Sequence, residues 1–148
     1  MPRQFTVELP WAPSTNTFLR HFLLPGRKHP STCISEKGRE FYAAVGALLL
    51  ETRPAKFSGP LAATIELYPP DRRSIDVDNR NKSVLDSLKR RPKDLKQWPG
   101  AWLFAEDDSQ VKEMHTFIRG IVPGGKVVCT ITQLSGEIQP PLFASGEE

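Results

Sequence analysis

The stretch LAATIELYPP, residues 61–70, constrains this chain more than any other. Leu61, Ala63, Ile65 and Leu67 alternate with Thr64 and Glu66, the period of a strand with one face buried. Pro69 and Pro70 then stop it, because neither can donate to a ladder. A strand that ends at a double proline must release the chain into a loop. Here that loop is Asp71-Arg-Arg-Ser-Ile-Asp76-Val-Asp78-Asn79-Arg-Asn-Lys82, an acidic run inside a basic chain.

The remaining elements arrange themselves around that strand. Phe5, Val7 and Leu9 alternate with Thr6 and Glu8 in a strand ended by Pro10. Ser35 is placed to cap a helix from Glu36 to about Thr52, in which Phe41, Val45, Leu48 and Leu49 recur at helical spacing before Pro54 ends it. A second helix fits from Asn79 to about Arg91, with Val84, Leu85 and Leu88 on one face, Asp78 as its N-cap and Pro92 as its terminator. Residues 111–119 and 126–134 read as strands joined in a hairpin through Val122-Pro123-Gly124-Gly125. Residues 11–32 mix Pro, Asn, Ser, Arg and His without a period and read as a long loop.

The order strand, helix, strand, helix, strand, strand predicts an α+β fold. Its sheet has four strands, mixed and mostly antiparallel, with two main helices packed on one face (β-α-β-α-β-β). With 148 residues, 39% hydrophobic and 25% charged, the chain suits one folded domain over residues 1–134. Residues 135–148, rich in Pro, Gly, Ser and Glu, read as a loosely ordered tail.

The formal charge is +3 and the sequence pI about 9.0. Residues 135–148 hold Glu137, Glu147 and Glu148 and no Lys or Arg, so residues 1–134 carry three positive charges more than the whole chain. This is a moderate attraction for polyanions and no more. Cys33 and Cys129 are far apart with no Cys-x-x-Cys, and the apolar run from Val45 to Leu50 is too short to span a bilayer. With no signal-peptide pattern at its start, the chain is expected to be intracellular, reduced and not membrane-bound.

The acidic run can be read in two ways. Asp76 and Asp78, two apart in an extended segment, can point toward one ion. In a helix starting near Asn79, Asp78 and Lys82 lie four apart on one side of the apolar stripe. Hard divalent cations such as Mg²⁺ take one or two carboxylates plus a substrate phosphate oxygen, and a nearby lysine can serve as a point charge on phosphate. Asp107 or Asp108 could join this cluster only if the strand starting at Val111 lies beside that helix start. The plainer reading makes Asp78 a helix cap and Asp76 a partner of loop amides, pairs Lys82 with Asp78 or Asp86, and leaves Asp107 and Asp108 in a solvated turn. Asp71 reads as a turn residue, and Asp86 falls further round the helix toward solvent.

Other motifs fail on inspection. A calcium loop starting at Asp76 would need Asp or Asn at Arg80, Gly at Asn81 and Glu at Ser87. Gly120 to Lys126 fits half of a phosphate-binding loop, but Val127 replaces the hydroxyl and the context is strand-turn-strand. His21, His29, His115 and the two cysteines lack zinc spacing. The basic stretch from Lys89 to Trp102 offers aromatics able to stack on unpaired bases, or a solvated loop with both tryptophans turned to the core.

Three separated motifs, in this order, resemble the RusA family of Holliday-junction resolvases, small endonucleases borne by phages and prophages. They are Leu9-Pro-Trp-Ala-Pro-Ser-Thr-Asn16, Pro70-Asp-Arg-Arg-Ser-Ile-Asp76-Val-Asp78-Asn79 followed by Lys82, and Asp107-Asp108-Ser-Gln110-Val111. The resemblance covers most of residues 4–134. It implies a homodimer in the bacterial cytoplasm that binds four-way junction DNA and, with Mg²⁺ or Mn²⁺, makes paired symmetric nicks leaving 5′-phosphates, in recombination and repair. It puts the metal-binding carboxylates at Asp76, Asp78 and Asp108 and the essential cation at Lys82, with Glu106 and Asp107 as second choices. Asn16, Arg72, Arg73, Asn79, Lys89, Arg90 and Arg91 become candidates for DNA contact. The stretch 89–102 and the loop around 23–32 look longer than the family needs, and the tail after Leu134 has no counterpart in it. An inactive junction- or DNA-binding module, or a metal-dependent nuclease for RNA or flapped DNA, are the alternatives.

Overall fold

The computed structural model describes residues 3–89, 103–104 and 110–134. In chain order its elements are β1 (Gln4–Pro10), α1 (Thr15–Phe18), β2 (Leu19–Phe22), β3 (Ser31–Ile34), α2 (Glu36–Thr52), β4 (Leu61–Tyr68), α3 (Asn81–Leu88), β5 (Val111–Ile118) and β6 (Lys126–Gln133). The fold is α+β, as the apolar periods predict.

Strand alternation builds the main sheet, in the order β1-β6-β4-β5. Leu61, Ala63, Ile65 and Leu67 of β4, Val7 and Leu9 of β1, and Val127, Cys129 and Ile131 of β6 share one buried face, where they meet Phe41, Val45 and Leu49 of α2 and Val84, Leu85 and Leu88 of α3. The opposite face carries polar cross-strand pairs: Thr6 with Thr130, Arg119 with Glu66 and Lys126 with Glu8. Burial pushes the Cys129 thiol up to about 12. No helix among the described residues is long and apolar enough to cross a membrane.

α2 begins and ends where its sequence signals stand. The Ser35 hydroxyl accepts from the Gly38 amide, Arg53 adopts a left-handed conformation and donates its amide to the Leu49 carbonyl, and Pro54 follows.

The expected hairpin between the last two strands is not formed. β5 pairs in parallel with β4, and β6 runs antiparallel between β4 and β1. The connection 119–125 instead crosses the end of β4: the Arg119 amide donates to the Leu67 carbonyl and the Val122 amide to the Pro69 carbonyl. A Pro-Gly-Gly turn signals a reversal, but not which strand lies next. Seven residues easily span the two strand spacings, about 10 Å, needed to skip β4. Gly125 adopts positive φ, and a Cβ there would come within 2.9 Å of the Trp11 ring, so this turn admits no side chain.

Residues 11–32 are not a plain loop either. They form the one-turn helix α1 and a two-stranded hairpin, β2 with β3. Between those strands the Arg27 amide donates to the Leu24 carbonyl across Pro25 and Gly26, with Gly26 at positive φ, the arrangement of a type II turn. Four-residue strands are too short to show a period against a polar background.

Candidate active site

The polypeptide leaves β4 at Tyr68, passes the double proline and reaches Asp76 in open chain before a tight turn over residues 77–80. The Asn79 amide donates to the Asp76 carbonyl at 3.3 Å, and α3 starts at Asn81. The predicted helix start at Asn79 is therefore two residues early, and Asp78 is not its N-cap. Arg80 holds that position with no side-chain capping bond. Since a turn begins at Val77, the alternation expected of an extended segment does not govern Asp78.

Contacts with the segment after β1 fix this turn. The Asn79 carbonyl accepts from both the Thr15 amide at 2.8 Å and the Thr15 hydroxyl at 3.0 Å. Arg80 Nε donates to the Ala12 carbonyl while its guanidinium lies 4.5 Å from the Trp11 ring centroid, and burial lowers its pKa. The Ser83 hydroxyl donates to the Pro13 carbonyl. With the backbone tied on one side, Asp76 and Asp78 project outward, and both are exposed.

Neither carboxylate has a hydrogen-bond or ion-pair partner among the described residues, although Arg72, Arg73, Arg80 and Lys82 are close in sequence. Arg73 is committed elsewhere. It grips Asp71 at 2.9 Å, and this pairing, chiefly its side-chain hydrogen bonds, holds the Asp71 carboxyl below the usual carboxylate range. Asp71 is the turn residue its position suggested. Among the described residues Asp76 and Asp78 are left as hard oxygen donors with no partner of their own, a set that fits a hard divalent cation. Among the described residues no three His, Cys, Asp or Glu side chains form a metal-binding group.

A shallow depression of about 340 Å³ is lined by Asp78, Asn81, Lys82 and Leu85 from one side and Val111, Lys112, Glu113 and Met114 from the other. The structure thus brings Asp78 and Lys82 together, and it brings the start of β5 to them. Thr116 of β5 donates to the Asn81 side chain at 2.9 Å, which keeps strand and helix side by side. Asp76 stands on the same turn but does not line this depression. A larger cleft of about 720 Å³ lies on the far side of the turn among Trp11, Phe41, Ile75 and Arg80, and neither Asp76 nor Asp78 lines it.

Glu106, Asp107, Asp108, Arg90 and Arg91 lie outside the described residues. Of the other DNA-contact candidates, Asn16 and Arg72 are exposed, Asn79 is half-buried, and Arg73 is exposed but paired. Lys89 is turned inward onto Asp86, at 3.0 Å. Asp86 itself contradicts expectation: it is 7% exposed rather than solvent-facing. A helical wheel places it away from Val84, Leu85 and Leu88. Among the described ion pairs the two neighbours of its carboxylate are Lys82 and Lys89, on the same stretch of chain, and the chain returns to the end of α3 at Leu103, whose amide donates to the Leu88 carbonyl.

Comparison with known proteins gives a consistent result. The family model described as Endodeoxyribonuclease RusA matches residues 10–131. The chain is 30% identical over 134 residues to the crossover junction endodeoxyribonuclease RusA of Escherichia coli (strain K12), covering 90% of this chain and 98% of that protein. It is 31% identical, with the same coverage, to the proteins of that name from Shigella sonnei (strain Ss046) and Enterobacteria phage 82.

Proposed function

The chain belongs to the RusA family of endodeoxyribonucleases, and from that premise we propose that it resolves four-way DNA junctions as a Mg²⁺- or Mn²⁺-dependent homodimer. The observation that carries this reading is the pair Asp76 and Asp78, exposed and without a hydrogen-bond or ion-pair partner among the described residues, beside a turn anchored by three backbone-directed contacts. Among the described residues nothing gives these carboxylates a fold-stabilising task.

Asp76 and Asp78, with Asp108, would hold the cation, and the position of Val111 in the depression supports including the residues that precede β5. When bound there, the metal supplies Lewis-acid polarisation of the scissile phosphate. Lys82, at the edge of the same depression, adds a positive charge facing the phosphate, where negative charge grows as water adds to phosphorus and the 3′ oxygen departs. The products are a 5′-phosphate and a 3′-hydroxyl. Arg72, with Arg90 and Arg91, would provide salt-sensitive attraction for the backbone, Asn16 and Asn79 would offer it neutral hydrogen-bond donors, and Arg73 would join them only by giving up its pairing with Asp71. A two-fold dimer would present two such sites to the two-fold symmetry of a junction and produce paired nicks.

The test is Asp78→Asn on a synthetic four-way junction with Mg²⁺. Nicking should disappear while gel-shift binding stays intact or tightens. Lost binding with unchanged cleavage per bound complex would overturn the catalytic assignment. Competition by duplex, flapped DNA and RNA decides the substrate: preferential binding and cutting of the junction is expected, and equal cutting of all would set the junction reading aside.

A further inference from the structure

α3 is unusual in what it buries. Among its apolar residues lie Ser83, Asp86 and Ser87. The two hydroxyls are accounted for by backbone, since Ser83 donates to the Pro13 and Arg80 carbonyls and Ser87 to the Val84 carbonyl. Asp86 cannot be satisfied this way. A carboxylate only accepts, and amides inside a helix are already engaged. It faces two ammonium groups instead: Lys82 Nζ lies 3.4 Å from Oδ2 and Lys89 Nζ 3.0 Å from Oδ1. Oδ1 is fully enclosed and accepts no hydrogen bond among the described residues, so its contact with Lys89 is electrostatic.

The two lysines are not equivalent. The Lys89 side chain is 23% exposed and alone could neutralise the buried charge, whereas the Lys82 side chain is 53% exposed, long and flexible. Among the described ion pairs, the single carboxylate of Asp86 is shared by two ammonium groups. Lys89 thus compensates Asp86, and Asp86 in turn holds Lys82 without cancelling it. Ordering a long, exposed lysine side chain carries an entropic cost, and an ion pair to a buried carboxylate offsets part of it. A second point agrees: Lys82 lines the same depression as Asp78, while Asp86 lies behind it and does not line that depression.

We propose that Asp86 is a positioning residue that fixes the Lys82 ammonium beside Asp78 for phosphodiester cleavage, with Lys89 as its balancing counter-ion. The inference rests on Lys82 serving the reaction as proposed above. Asp86, nearly enclosed, touches no substrate.

Single-turnover cleavage rates and junction Kd values are measured for the full chain and for Asp86→Asn, Asp86→Glu and Lys82→Ala, with circular dichroism melting as a folding control. Asp86→Asn keeps the side-chain shape and should lower the cleavage rate by about 10-fold or more, the scale of a slightly misplaced catalytic group, with Kd within about twofold of the parent. Asp86→Glu restores the charge one methylene further out, so its rate should fall between the two. An unchanged rate in Asp86→Asn, or a rate in Asp86→Glu no better than in Asp86→Asn, would overturn the proposal. If Asp86→Asn does not fold, Asp86→Glu carries the test: a reduced rate at unchanged Kd supports positioning, and the parental rate overturns it. Lys82→Ala separates the two levels. Normal cleavage by that variant refutes the role of Lys82 itself, whereas loss there beside a fully active Asp86→Asn refutes only the role of Asp86.

Discussion

The two long helices of this molecule are built on opposite plans. α2 has seventeen residues, a side-chain N-cap, a left-handed C-cap and a buried stripe of Phe41, Tyr42, Val45 and Leu49 with charges left to solvent. α3 has eight, no side-chain cap and a boundary set by contacts from Thr15, Ala12 and Pro13. Local sequence defines the first and tertiary neighbours define the second. A helix that supplies its own ends, as α2 does, depends little on its neighbours for its boundaries. One whose start is pinned from outside leaves the acidic residues before it free for other work.

That contrast predicts a division of effects, and the sharpest break would come at the turn before α3. Asp76→Asn, like Asp78→Asn, should reduce nicking on the order of 10³-fold while shifting stability by no more than about 0.5 kcal/mol, as for other exposed substitutions. A melting temperature that collapses along with activity would erase the contrast. Leu49→Ala in α2 should do the reverse. Removing a fully buried side chain costs about 2–5 kcal/mol in denaturant unfolding, with cleavage per folded molecule unchanged. Ser35→Ala removes the α2 cap and should cost about 1 kcal/mol in the same assay, whereas no comparable substitution exists for α3 because it has no side-chain cap to lose. Smallest of all, Arg53→Gly relieves a non-glycine residue at φ 46° and should stabilise by up to about 1 kcal/mol, although it also loses the arginine's bond to the Leu50 carbonyl. A loss of stability there would show that this bond outweighs the backbone strain.

The same contrast explains what could be read from the amino acids alone. β4 and α2 were legible because their apolar periods are long and their boundaries are chemical: a double proline, a capping serine, a proline after the last turn. The acidic run was legible as a cluster, and family resemblance assigned it a reaction. What escaped was set by distant neighbours. Asp78 has the right chemistry for a cap, but the bonds from residues 12–15 to Asn79, Arg80 and Ser83 delay the helix until Asn81. Asp86 sits off the apolar stripe, yet it is 7% exposed, and a helical wheel says nothing of the tertiary neighbours that decide burial. The turn at Val122–Gly125 was recognised, yet its bypass of β4 depends on β5 adding in parallel to the far side of that strand.

The place of β6 has a consequence for how the protein is made. It is the last described strand in chain order, yet β1 has no other strand partner in the main sheet and β4 takes one of its two from it. Gln4 finds its opposite only at Thr132. During synthesis the first strand must wait, its hydrogen-bonding edge open, until nearly all of the described chain has been added. Assembly that depends on so distant a pairing is slow, and an unpaired edge is an invitation to association with other chains. The nascent chain therefore carries its greatest aggregation hazard just before β6 is added, and insertion of that strand pairs the facing edges of β1 and β4 at once, leaving only the outer edges of β1 and β5 in the described main sheet.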